Sequence, residues 1–187
     1  MKVLGIDQSL KSTGLCLVDS SGKILSRKII EIDKTDVKKE IDKRFEVHKN
    51  ETVKKVSMCE YVVKQITDFI RVEEPDVIII EGLAFGIKGD ATRTLGALQF
   101  MIISDIMSGF FHMSPNRAEE SIEIVAPTSL KKFATGKGSG SKEDLFEALP
   151  DEVKDDFSKF PKTRGRYDLT DAYWLSQWGV ENNHATR

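Results

Sequence analysis

The sequence predicts an α/β fold, a five-stranded mixed sheet with three antiparallel and two parallel strands, flanked by helices. Three observations predict it. Short apolar segments separated by tight turns crowd the first 32 residues. A continuous β-branched run, Val77-Ile78-Ile79-Ile80, reads as a parallel strand buried on both faces. Helical periodicity dominates most of the remainder, so strands alternate with helices as they do in α/β chains.

Taken in order, residues 2–8 and 13–19 are the first two strands, and Ser20-Ser21-Gly22 turns the chain into a third at 23–32. Short turns make these three an antiparallel meander. Residues 33–49 are charged without clear periodicity and read as a solvated connection. Val53, Val56, Val63, Ile66 and Ile70 then recur at helical spacing over 51–71, with Asn50 placed to cap the start. Pro75-Asp76 ends that helix and the Val77 strand follows; a right-handed crossover can set this strand beside the first. A second helix spans 92–111, and a fifth strand at 121–126 is stopped by Pro127. A short helix near 128–134, a Gly/Ser loop at 136–141 and a helix from 142 come next. The final helix runs from Asp168 to Trp178, with Gly179 as its stop.

The 187 residues fit one domain over the whole chain, 1–187. A composition 40% hydrophobic and 31% charged is that of a soluble globular protein. No apolar stretch is long enough to cross a bilayer. The Met1-Lys2-Val3-Leu4-Gly5 start has no signal-peptide layout, so a cytoplasmic location is expected. Cys16 and Cys59 sit inside apolar patterns and read as buried, reduced thiols. With 28 Lys and Arg against 30 Asp and Glu, the formal charge is −2, which argues against a generally basic nucleic-acid binder. Phosphate binding needs only a local patch, however. Two basic groups supply one: Lys131, Lys132, Lys137 and Lys142, then Lys159, Lys162, Arg164 and Arg166.

Four carboxylates carry the chemistry. Asp7 ends the first strand and Glu81 ends the buried one, where a charge directly after Ile78-Ile79-Ile80 is costly unless it faces an opening or a partner. Ligand sites in open α/β sheets lie beyond the carboxyl ends of strands. If the two strands are neighbours, about 4.8 Å apart, the two acids can share cations. Asp168 and Asp171 fall three residues apart in the first turn of the last helix, on one face and at the dipole end that favours anions. Oxygen-only ligands suit Mg²⁺ or Mn²⁺, and two such ions can drive phosphodiester hydrolysis. His48, His112 and His184 are isolated and offer no zinc site.

These motifs resemble those of RuvC-type Holliday junction resolvases. Gly5-Ile6-Asp7 with Ser9, Thr13 and Gly14 is similar to their opening, Ile79-Ile80-Glu81 to their second acidic motif, and Asp168-x-x-Asp171-Ala172 to their closing pair. The order and spacing match over nearly the whole chain. The resemblance implies an RNase H-like sheet, a homodimer, paired nicking of four-way DNA junctions, and Asp7, Glu81, Asp168 and Asp171 as ligands of two Mg²⁺ or Mn²⁺ ions. It further implies that Phe85, four residues past Glu81, stacks on junction bases. Thr135-Gly136-Lys137-Gly138-Ser139-Gly140-Ser141-Lys142 resembles the loop and helix start that carry DNA-contacting lysines. Lys137 and Lys142, with Lys162, Arg164 and Arg166, are the expected phosphate contacts. The helix at 92–111 is the expected dimer element, because Leu95, Leu98, Met101, Ile102, Ile106 and Phe110 exceed what one sheet face requires and Gly96 and Gly109 permit close approach.

The chain departs from the pattern in its long 33–49 connection, its charged 151–166 segment and its acidic total, which point to a divergent or a phage member, acting in a bacterial cytoplasm or in that of the bacterial host. Gly-Ile-Asp-x-Ser with Thr-Gly also resembles the phosphate hairpin of actin/hexokinase-like ATPases, but those use two such domains and 187 residues leave no room. A broader nuclease cutting flaps, forks and three-way junctions is the alternative; a non-cutting junction binder is disfavoured because all four acids are present.

Overall fold

A computed structural model of the chain describes residues 1–32, 36–83, 89–111 and 121–183. Five strands form one sheet in the order β3-β2-β1-β4-β5. β1 (Lys2–Asp7), β2 (Ser12–Asp19) and β3 (Ile24–Glu31) are the antiparallel meander. β4 (Val77–Glu81) runs parallel to β1, with Gly5 opposite Ile79 and Ile6 opposite Ile80. β5 (Ile122–Val125) is parallel to β4. The predicted sheet is therefore the observed one.

The pleat sends alternate side chains to opposite faces, and each face has its own core. Leu4, Ile6, Ile78 and Ile80 point to one side. There they meet Val62, Val63, Ile66 and Ile70 of α2 (Glu51–Glu73) and Leu98, Ile102 and Ile106 of α3 (Asp90–Phe111). Val3, Cys16, Val18, Val77 and Ile79 point to the other. That face is covered by α4 (Pro127–Thr135), α5 (Lys142–Glu147), α6 (Asp151–Phe157) and above all α7 (Tyr167–Asn183). Cys16 and Cys59 are buried free thiols, as expected, and burial pushes Cys16 up to about 12. Among the described residues, no helix is long and apolar enough to cross a membrane.

Several expectations need correction. Residues 33–49 are not a solvated connection throughout: Asp36–His48 is a helix, α1. Its charge pattern hides few apolar residues, but Ile41 is buried and Lys54 of α2 pairs with Asp42 at 2.7 Å. In α2, Asn50 caps as predicted, its side chain accepting from the Thr52 and Val53 amides, whereas Val53 and Val56 face outward and the buried stripe is Cys59, Val62, Val63, Ile66, Phe69 and Ile70. Pro127 opens α4, where its missing N–H costs nothing, as well as closing β5. Gly179 does not stop the last helix, which continues to Asn183. A Cβ at Gly179 would come within 2.6 Å of Val3 and 2.7 Å of Ile79, so glycine there serves helix–sheet packing. In α3, Leu98, Ile102 and Ile106 are consumed by the sheet core, and among the described side chains of this helix Phe100 is the large exposed apolar one, the Phe110 side chain lying outside them.

Candidate active site

The two strand carboxylates share a face for a reason visible in the pleat. Asp7 lies two residues after Gly5 and Glu81 two residues after Ile79, and Gly5 and Ile79 stand opposite each other on neighbouring strands. Period two therefore sends both acids to the α7 side of the sheet, just past the last paired residues, Ile6 and Ile80. Asp7 is buried and Glu81 half-buried.

The glycines of the opening motif decide how close α7 can come. A Cβ on Gly5 would lie 1.9 Å from the Ala172 carbonyl oxygen, and one on Gly14 would lie 2.1 Å from that of Asp168. Only bare backbone lets the first turns of α7 rest on β1 and β2, and Asp7 pairs with Gly14 in that ladder. Asp168 and Asp171 are thereby delivered beside Asp7. The β1–β2 turn is closed by Thr13, whose hydroxyl donates to the Ser9 carbonyl at 2.6 Å and accepts from the Ser9 amide at 3.0 Å. Asp168 is held by two donors on one oxygen: Ser12 Oγ donates to Oδ2 at 2.5 Å and the Gly165 amide at 2.7 Å.

The acids lie close enough to act on one another's charge. Burial, then the Asp171 and Glu81 charges, hold Asp7 well above the usual carboxylate range. Burial and then Asp171 push Glu81 up to about 7, against Lys142 and a hydrogen bond from the Asp7 carboxyl. Burial raises Asp171 to about 6 against the pull of Lys142, whose Nζ lies 3.6 Å from Asp171 Oδ2. Burial works to lower the Lys142 ammonium, but Asp171, Asp7, Asp168 and Glu81 together outweigh it and raise it.

A cavity of about 260 Å³ opens beside these groups, lined by Gln8, Glu81, Lys131, Lys142 and Asp171 among others. Among the described residues, no three acidic, His or Cys side chains are already gathered into a ligand set. The donor chemistry nevertheless fits a hard divalent cation: four carboxylates, all oxygen, whose mutual repulsion a cation would relieve. Gln8 adds to this fit. Among the described residues its buried amide oxygen has no hydrogen-bond partner, a condition that costs about 1–3 kcal/mol unless a ligand or its water supplies one.

Sequence reasoning missed Ser12, Gly165, Gln8 and Gln99, and named Lys131 only as one of a basic group. Gln8 and Ser12 flank motif positions, but only the folded chain shows what they touch. The expected phosphate contacts are placed unevenly. Lys137 sits in the glycine loop, and Lys142 follows Ser141, whose side chain and Asp144 form a capping box. Lys162 pairs with Glu143 at 3.1 Å on the surface. Arg164 lines a groove with Arg27, Lys28 and Phe160. Arg166 is committed internally: it donates to the Phe160 and Ser158 carbonyls and lies over the Phe146 ring. Phe85 lies outside the described residues, as do His112 and His184.

No family model matches the sequence, and no curated protein does. Solved structures do resemble it. A Thermus thermophilus RuvC structure superposes with a TM-score of 0.63 at 16% identity, covering 100% of this chain and 98% of that one. The T. thermophilus RuvC in complex with Holliday junction substrate gives 0.56 at 14% identity, over 99% and 94%. The yeast mitochondrial Holliday junction resolvase gives 0.57 at 15% identity, over 98% and 82%. The chain has the RNase H-like fold of RuvC-type resolvases.

Proposed function

We propose that the chain is a metal-dependent DNA endonuclease that resolves four-way junctions by paired phosphodiester hydrolysis, and that residues 1–187 act as one nuclease domain. The observation that carries this reading is the convergence of Asp7, Glu81, Asp168 and Asp171 from two strand ends and a helix start, beside a cavity with Lys131 and Lys142 in its wall. The structural likeness to resolvases, one of them with junction DNA, supports the substrate class.

In this reading the four carboxylates hold two Mg²⁺ or Mn²⁺ ions. When bound, such ions activate the attacking water and stabilise charge on the leaving oxygen. The chain's own groups do the rest. Asp7 and Glu81 would set the floor of the site from the sheet, and Ser12 and Gly165 fix one oxygen of Asp168 beside them. Lys142 and Lys131 draw the scissile phosphate toward the acids, and Lys137, Lys162 and Arg164 hold flanking phosphates. Phe85 stacks on a junction base.

A homodimer suits the near two-fold symmetry of a four-way junction. The α2/α3 side offers the matching surface, with Phe100 75% and Val72 80% exposed and a groove between the helices. The protein acts in the bacterial cytoplasm, on host or phage DNA.

The direct test incubates the protein with labelled four-way, three-way, flap and linear DNA in Mg²⁺ and in Mn²⁺. Symmetric nicks confined to the four-way substrate support resolution. Equal cutting of flaps and three-way forms would make it a general branched-DNA nuclease, and no cutting of any substrate would remove the catalytic reading.

A further inference from the structure

The Glu81–Gly82 peptide unit sits where the sheet ladder runs out. Backbone pairing between β1 and β4 ends at Ile6 and Ile80, so the Glu81 carbonyl has no strand partner on that side. Two side-chain amides take the place of the missing ladder. Gln8 Nε2 donates to the Glu81 carbonyl at 3.1 Å, and Gln99 Nε2 donates to the same oxygen at 3.1 Å. On the far edge of the same unit, the Gly82 amide donates to the Val125 carbonyl at 2.8 Å. Three elements, the end of β1, the middle of α3 and the end of β5, thus grip one peptide plane.

Both glutamines are more than nine-tenths buried, an expensive place for an amide. Gln99 occupies a helix whose neighbouring residue Leu98 and next-turn residue Ile102 are core, where an apolar residue would pack as well. Gln8 donates its nitrogen while its oxygen has no partner among the described residues. A residue kept at that cost just past the end of β1, with its amide on the carbonyl of Glu81 in the neighbouring strand, has a positional role. A planar peptide held at both its carbonyl and its N–H cannot swing, and the Glu81 Cα–Cβ direction is set with it.

We infer that Gln8 and Gln99 are positioning residues that aim the Glu81 carboxylate at the cation site; this rests on the metal-site reading above. Gln99 is the sharper probe, because among the described residues it is not part of the cavity lining and its side-chain amide meets the Glu81 carbonyl. Supporting partners of a ligand typically change metal affinity by about 10–100-fold.

The test is Mn²⁺ binding to the DNA-free full chain, followed by the loss of free-ion electron paramagnetic resonance signal. Wild type, Asp7→Asn, Gln99→Met, Gln8→Met and Ile102→Val are compared, each with its melting temperature. Gln99→Met keeps size and removes the donor, while Ile102→Val loosens the same helix without touching the peptide unit. The expected result is Mn²⁺ binding weakened about 10-fold or more in both glutamine variants and unchanged in Ile102→Val. If Gln99→Met does not fold, Gln8→Met carries the comparison. Wild-type affinity in the glutamine variants, or equal weakening in Ile102→Val, overturns the positioning role while Asp7→Asn still loses binding. Absence of Mn²⁺ binding by the wild type overturns the metal-site reading, and the inference with it.

Discussion

Lys142 Nζ stands 3.6 Å from Asp171 Oδ2, so one lysine from the start of α5 supplies positive charge inside an otherwise acidic pocket. The Lys142 side chain is 59% exposed, which leaves it room to turn from the carboxylate to a phosphate. Lys142→Ala is therefore expected to weaken binding to all branched DNA alike and to reduce the slope of log affinity against log salt by about one. A salt titration with Ca²⁺ in place of Mg²⁺ measures it, and an unchanged slope would confine Lys142 to its pairing with Asp171.

Asp7→Asn is expected to abolish cleavage, by more than about 100-fold, while leaving junction binding in place. The loss of a ligand should exceed the loss of a ligand's supporting partner. The amide keeps the shape of the side chain and removes its charge. A gel shift run beside a cleavage assay decides this; cutting at near the wild-type rate would take Asp7 out of the site.

Ser12→Ala removes one of the two donors on Asp168 Oδ2 and leaves the Gly165 amide. A smaller effect is expected, a stability loss of about 1 kcal/mol and about a 10-fold drop in cleavage that higher Mg²⁺ partly restores. A drop that extra Mg²⁺ does not touch would mean that Ser12 acts elsewhere than on Asp168.

Glu81 and Asp171 are raised to about 7 and about 6, so the folded chain holds protons that the unfolded chain releases at lower pH. The sign follows. In chelator, stability contributed by the neutral acids is present below the ordinary carboxylate range and is lost as pH rises through about 6 and 7. Glu81→Gln, permanently neutral, should be more stable than wild type at pH 8 by roughly 1–3 kcal/mol, and the gain should vanish near pH 4. Calorimetry in chelator tests this, and a variant no more stable at pH 8 would contradict the electrostatic account.

Phe100 is 75% exposed on α3, beside the groove between α2 and α3. Sedimentation at micromolar concentration is expected to give about twice the 21.0 kDa chain mass for wild type, and about the chain mass for Phe100→Asp. A wild-type monomer that still resolves junctions would refute the dimer.

The sheet was legible in the sequence because its signals are local. Alternation and β-branching mark β1 to β4, tight turns join the meander, and Asn50 and Pro127 mark helix starts. Helix α1 was not legible, because its support comes from Ile41 and from Asp42, whose partner Lys54 belongs to another helix. Gly179 carried the signal of a stop, yet its meaning is a close approach to Val3 and Ile79, which no local window contains.

The candidate site divides the same way. Sequence alone determined the four acids and their placement at strand ends and in a helix start, because an unpaired charge after an apolar strand, and two acids one turn apart, are recognisable in one dimension. Only the tertiary structure decided what surrounds them. That Ser12 and Gly165 hold Asp168, that Lys142 faces Asp171, that Arg166 is spent on its own loop, and that Gln8 and Gln99 meet at the Glu81 carbonyl are matters of contact between distant segments. The physical reason is range. Hydrogen bonds act over about 3 Å, and which groups come within that distance is settled by how α3 and α7 pack on opposite faces of the sheet, through side-chain shapes that periodicity does not encode.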